Sequence, residues 1–248
     1  TMFILGPALV ACFVAFGAPV GAVLFAAICA AAGAAVFLRS PGARSWVARG
    51  GMGPRSLLGP LGNPQLLAVF SANVLYAVAF GLYEMAVIAH AAHRGSPAAA
   101  GVVLALASFG SAIGVLVYGS RDWRPPVPRQ FLVAVSLMAA GLLLLAPLEN
   151  LFLFAAANVI AGAPMAPVIA VQSLLVSRLT PREMLAESFT WGTTCLLGGI
   201  SAGIATGGVL AEHFSPSVIL VAAATSTLLA GVVVWLAVDT VRIARDEG

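Results

Sequence analysis

Lysine is absent from this chain, so all twelve of its basic residues are arginines. Charge of either sign is scarce: Asp, Glu and Arg together make up 8% of the 248 residues, whereas a soluble domain carries roughly a quarter. Cysteine is nearly missing as well. Cys12, Cys29 and Cys195 are odd in number, lie inside apolar tracts and lack CxxC spacing. That argues against a disulfide framework or a zinc site, and the three are expected to be small buried hydrophobes. No HExxH, GxSxG, Walker loop or paired-carboxylate constellation occurs. The sequence thus supplies no catalytic residues, no metal ligands and no cofactor site, and an enzyme reading has little to stand on.

What remains is largely hydrophobic. Apolar residues make up 61% of the chain and mean hydropathy is +1.04. A water-soluble fold of this length has too little interior to hide that much apolar surface. A bilayer core takes about 20 apolar residues of helix per crossing, and eight segments qualify: 2–17, 19–38, 64–89, 97–118, 130–147, 151–176, 186–211 and 218–238. The expected fold is an all-α integral membrane protein, a polytopic helical bundle of about eight transmembrane helices whose principal partner is the lipid bilayer.

Eleven arginines fall in alternate gaps between these segments. Arg39, Arg44, Arg49 and Arg55 share one gap, Arg121, Arg124 and Arg129 a second, Arg178 and Arg182 a third, and Arg242 and Arg245 the tail. Only Arg94 breaks the alternation. Basic loops resist translocation, so these gaps are expected on the cytoplasmic side of a bacterial plasma membrane, with both termini there too. The same placement explains the net charge of +3 as topology rather than nucleic-acid binding. The intervening turns, with His90, His93, Glu149, Glu212 and His213, are then external. Four parts are expected: two helices in 1–38, a Gly/Pro/Ser/Arg-rich linker in 39–63, a six-helix bundle in 64–240, and a tail in 241–248. Because Thr1-Met2 opens directly inside a hydrophobic segment, a natural beginning upstream is also expected.

Three stretches carry a family likeness. Gly6-Pro7 begins a run similar to the antiporter motif on the fifth helix of proton-coupled exporters. Gly114-Val-Leu-Val-Tyr-Gly119-Ser-Arg121-Asp122-Trp123-Arg124 occupies the place of a signature loop, Gly-x-x-x-Asp-Arg-x-Gly-Arg, in its second-half copy. Leu185-Ala-Glu187-Ser-Phe-Thr190-Trp191 is similar to a Glu-Ala-Phe-x-Trp run opening an eleventh helix. Together they resemble the major facilitator superfamily, and more narrowly its alanine-rich actinobacterial exporters. The resemblance implies that the chain spans helices five to twelve, with four more preceding. It also implies alternating-access export of a small molecule, with protons as the coupling ion. Two other readings stay open: a truncated or regulatory membrane subunit without turnover, and a polytopic enzyme acting on lipid-linked substrates.

Candidate residues follow. Glu84 is the one acid well inside a segment, where a charge costs about 2.5–3.5 kcal/mol and usually faces a cavity or a partner. At helical spacing Asn73, Tyr76, Phe80 and Glu84 share a face, with Tyr83 beside it. By resemblance this helix lines a central cavity, which makes these residues substrate or coupling candidates. Gln172 and Trp191 join them. Asn158 and Gln172 are amides inside one segment, of a kind that bonds to neighbouring helices. Arg121, Asp122 and Arg124 are expected to form a gating charge lock, or else plain topology signals, and Glu187 to complement a helix N-terminus. Gly110 and Gly114, and Gly199, Gly203 and Gly207, recur every four residues as small stripes that let helices approach closely. Pro164 and Pro167, after Gly162, should kink or break their helix.

Overall fold

The computed structural model describes residues 19–40 and 59–246, and the chain divides into two units, residues 1–57 and 58–248. In the first unit α1 (Pro19–Arg39) is an apolar helix whose last turn carries Arg39, a cation at the negative end of the helix dipole. The segment expected at 2–17 lies outside the described residues.

The second unit opens with a short 3-10 helix, Gly59–Gly62, and continues through seven helices. These are α2 (Pro64–His93), α3 (Ala99–Gly119), α4 (Val127–Leu145), α5 (Leu151–Gly162), α6 (Met165–Leu179), α7 (Leu185–His213) and α8 (Pro216–Asp246). With α5 and α6 taken as one crossing, six helical stretches here are long and apolar enough to span a membrane. No strand occurs among the described residues.

Local chemistry sets the boundaries. Asn63 caps α2 by accepting from the Gln65 amide at 2.9 Å, with Pro64 at the first helical position. Asn150 accepts from the amides of Phe152 and Leu153 to start α5. Both caps satisfy donors that a helix N-terminus leaves orphaned. Residues 59–63, expected as the end of a linker, instead pack against α2 and α7. The α2 helix also runs four residues past the expected position 89, because nothing breaks it before Gly95, whose φ of +69° suits glycine. His90 and His93 therefore lie in its last turn rather than in a turn beyond it. His90 is buried and stacked on Phe154 with ring centroids 4.1 Å apart.

The fourth of these six crossings is broken. α5 ends at Gly162 and α6 begins at Met165, with Ala163 and Pro164 between them. Pro164 and Pro167 each lack the amide proton a continuous helix would use. The Ala166 amide, freed by the break, donates to Ser111 Oγ of α3 at 3.0 Å. A neighbouring helix thus satisfies the donor that lipid cannot.

At the centre, α2 packs between α7 and α8, α8 also packs on α4, and α3 packs on α5. Two of these contacts are glycine seams. Along α2 and α7, which run parallel, a Cβ on Gly203 would collide with the Val78 carbonyl and one on Gly199 with Ala77 and the Val74 carbonyl. One on Gly207 would meet Met85, and one on Gly81 the backbone of Ile200. Along α3 and α5, Gly110 and Gly114 sit on the backbones of Val159 and Ala163, and Gly162 on that of Ala107. Each seam brings two backbones to a distance that no larger residue permits.

Candidate functional site

Polar side chains are rare inside the bundle, so their pairings define its chemistry. Asn73 of α2, 1% exposed, donates through Nδ2 to the Gly192 carbonyl of α7 at 2.7 Å. One turn further along α2, Tyr76 donates to Gln172 Oε1 of α6 at 3.5 Å, at the outer limit of a hydrogen bond. A Cβ on Gly192 would stand 3.6 Å from Gln172 Nε2 and 3.9 Å from Asn73 Nδ2. The two amides therefore converge on that glycine with space for little more than a methyl group. Asn73 Oδ1 and the hydroxyl of buried Ser188, one turn before Gly192, have no hydrogen-bond partner. Three helices thus meet at a neutral cluster of donors and acceptors with spare capacity. Unmatched groups of this kind are costly away from water.

The remaining residues of the expected face go elsewhere. Phe80 meets Tyr76 edge-on, with centroids 6.0 Å apart. Tyr83 donates to Asn158 Oδ1 of α5 at 2.6 Å, and Asn158 Nδ2 donates back to the Phe154 carbonyl. Glu84 is half-buried and has no hydrogen bond or ion pair among the described residues. At a rise of about 1.5 Å per residue, Glu84 stands roughly 16 Å along α2 from Asn73 and roughly 8 Å from the helix midpoint. The face is thus not one site: the neutral cluster and the lone carboxylate occupy different depths of the membrane.

Trp191 is exposed, about 100° around α7 from Gly192. Several hydroxyls share the uncovered part of that helix: Thr190, Thr193, Thr194, Ser201 and Thr206, each bonded back to a carbonyl one turn earlier. Sequence reasoning passed over these and Ser188, although hydroxyls three and four residues apart in an apolar helix were a readable signal. Only 17% of the most apolar stretch of α7 and 22% of that of α3 is buried, against 44% to 61% for the other four crossings.

The expected charge lock at Arg121, Asp122 and Arg124 is not formed. All three residues are exposed, and the single ion pair among the described residues is Arg94–Glu149 at 3.3 Å. Asp122 lies in a connection organised by aromatics. Trp123 Nε1 donates to the Tyr118 carbonyl at 2.8 Å and the two rings stack at 5.4 Å, while the Tyr118 hydroxyl donates to Gln130. Glu187 sits in the first turn of α7 with its carboxylate against Gly59. No group of three or more His, Cys, Asp or Glu side chains that could hold a metal occurs among the described residues.

An apolar bundle of crossing helices, held by glycine seams and carrying a few interior amides, is the build of a membrane carrier. A profile of the Major Facilitator Superfamily matches residues 69–248. The chain belongs to that superfamily. Searches of curated proteins and of solved structures return no match. Family and fold together make it a multi-pass membrane transporter, embedded in lipid and acting on a small molecule.

Proposed function

We propose that this transporter is a proton-coupled exporter of small amphipathic molecules that works by alternating access. The observation that carries the reading is the Asn73–Gln172–Gly192 cluster. Neutral donors and acceptors from three helices converge there, and two acceptor atoms, Asn73 Oδ1 and Ser188 Oγ, stand without partners. A substrate's polar group would complete that set. Tyr76 and Phe80 supply the neighbouring aromatic surface.

Glu84 is the coupling residue in this reading. A lone carboxylate within a span is costly when charged and free of that cost when protonated, so its ionisation biases the balance between two packings of the bundle. In this reading residues 64–240 make up one half of the carrier and residues 1–38 belong to the other. Rocking of the halves about the midplane then exposes the cluster to each side in turn. The arginine-rich connections face the cytoplasm, as the positive-inside rule requires.

The test uses the full-length protein reconstituted in liposomes with an imposed pH gradient and a panel of amphipathic cations and neutral compounds. Wild type should move at least one compound against its gradient. Glu84→Gln should bind that compound but lose the dependence on the pH gradient. Transport by Glu84→Gln equal to wild type at every pH would remove Glu84 from the coupling mechanism.

A further inference from the structure

A cavity lies away from the amide cluster. α3 and α4 hardly touch each other, and both lean on the broken α5–α6 crossing. The gap between them is a groove of about 630 Å³ open on one side, with Ala163 and Pro164 at its floor. Ile113, Val117, Val133, Leu137, Ala140 and Leu144 supply apolar walls. On α4 the groove follows one face from Arg129 to Leu144, roughly 22 Å of helix at about 1.5 Å per residue. One leaflet of a bilayer core is about 15 Å deep, so an acyl chain fits lengthwise.

Only one end of the groove is polar. Arg129, Gln130, Tyr118 and Trp123 line it there. Arg121 and Arg124 lie in the short connection that links the two walls, with Asp122 as its single acid. None of the three arginines forms an ion pair among the described residues. Stacked Tyr118 and Trp123 are of the aromatic type that settles at headgroup level. A guanidinium beside such a belt matches a phosphate in geometry and in charge.

We propose that the α3–α4 groove is a binding site for one anionic phospholipid, its acyl chain lying along α4 and its phosphate held at Arg129 with Arg124 in support. The charge at the polar end selects this occupant, since a neutral lipid or an apolar helix would leave the arginines uncompensated. The proposal requires only that the bundle sits in a membrane, so it stands or falls separately from proton coupling and export.

The test is lipid retention by the full-length protein in detergent, counted by native mass spectrometry. Phosphatidylglycerol is compared with phosphatidylcholine of the same chains. Phosphatidylglycerol should be retained preferentially, and each of Arg124→Gln and Arg129→Gln should weaken retention about five-fold, as expected for one arginine near an anionic headgroup. Ala140→Trp, which fills the groove from an exposed position, should abolish retention of the tightest lipid. Arg94→Gln and Leu229→Trp, an arginine and an exposed position elsewhere, should change nothing. Glycerol phosphate alone should not compete, because the chain supplies most of the contact. Equal retention of both lipids with unchanged arginine variants would overturn the proposal, as would competition by glycerol phosphate. Retention unaffected by Ala140→Trp would overturn it too, meaning that protein fills the groove. Should Ala140→Trp fail to fold, the exposed arginine pair still decides the matter.

Discussion

Tyr83 of α2 donates its hydroxyl proton to Asn158 of α5 across 2.6 Å, with both side chains buried. The acceptor is itself held, because Asn158 Nδ2 donates to the Phe154 carbonyl at 2.7 Å. In hydrocarbon neither group has water to fall back on, so the pair ties α2 to the first half of the broken crossing. Tyr83→Phe keeps the ring and removes only that link. It should lower stability by about 0.6 kcal/mol and by no more than about 1.7, the average and the maximum for hydrogen bonds between membrane helices. Equilibrium unfolding in mixed detergent measures it, and an unchanged midpoint would mean the bond contributes nothing.

Neighbouring glycines on α7 offer a second test. A Cβ on Gly198 meets nothing within 4 Å, whereas one on Gly199 stands 2.6 Å from the Ala77 Cβ and 2.7 Å from the Val74 carbonyl. Gly199→Ala should therefore destabilise the protein by about 1–3 kcal/mol through overpacking. Gly198→Ala should be neutral, or stabilising by up to about 1 kcal/mol from helix propensity. Thermal unfolding of the two variants in one detergent compares them directly, and equal behaviour would argue against the seam.

The one ion pair among the described residues should count for little. Arg94 and Glu149 meet at 3.3 Å between the α2–α3 and α4–α5 turns, with 42% and 86% of their side chains exposed. Exposed pairs give about 0–1 kcal/mol and weaken with salt. Arg94→Ala should shift the unfolding midpoint only slightly, and the difference should vanish in high salt. A large, salt-independent loss would point to an unrecognised role for Arg94.

Topology can be read chemically. With the native cysteines replaced, Ser120→Cys and Ser177→Cys should react with an impermeant maleimide from one side of the membrane only. Glu149→Cys and Ser215→Cys should react only from the other. All four positions are exposed connection or helix-end residues. In intact cells the second pair should label. Labelling of Ser120→Cys and Glu149→Cys from the same side would break the alternation of crossings.

The crossings were legible because each needs a long apolar run, and nothing else in a chain this poor in charge produces such runs. The interruption at Ala163–Pro164 was legible for a similar reason, since proline acts through its own backbone. The site was harder to read. Asn73, Tyr76, Phe80 and Glu84 share a helical face by spacing, yet spacing cannot say which neighbour stands opposite each turn. α7, α6 and α5 take successive turns, so the face is divided among them. Arg94 looked like a flaw in the arginine pattern because its partner, Glu149, lies 55 positions away. Ser188 carries no sequence signal of its own, and only its burial marks it out.

The α2–α7 contact has a mechanical consequence. Its teeth are hydrogen atoms on Gly199, Gly203 and Gly207, set at equal intervals against Ala77, Val78, Gly81 and Met85. An axial shift of four residues, about 6 Å at 1.5 Å each, would bring Gly203 towards Ala77 and Gly207 towards Gly81. Glycine would again face two of these positions, while Ala211 would meet Met85 and the Asn73–Gly192 bond would be given up. The contact is therefore keyed to one register: the glycine spacing allows the close approach, and Met85 with the Asn73–Gly192 bond fixes where along the axis it occurs.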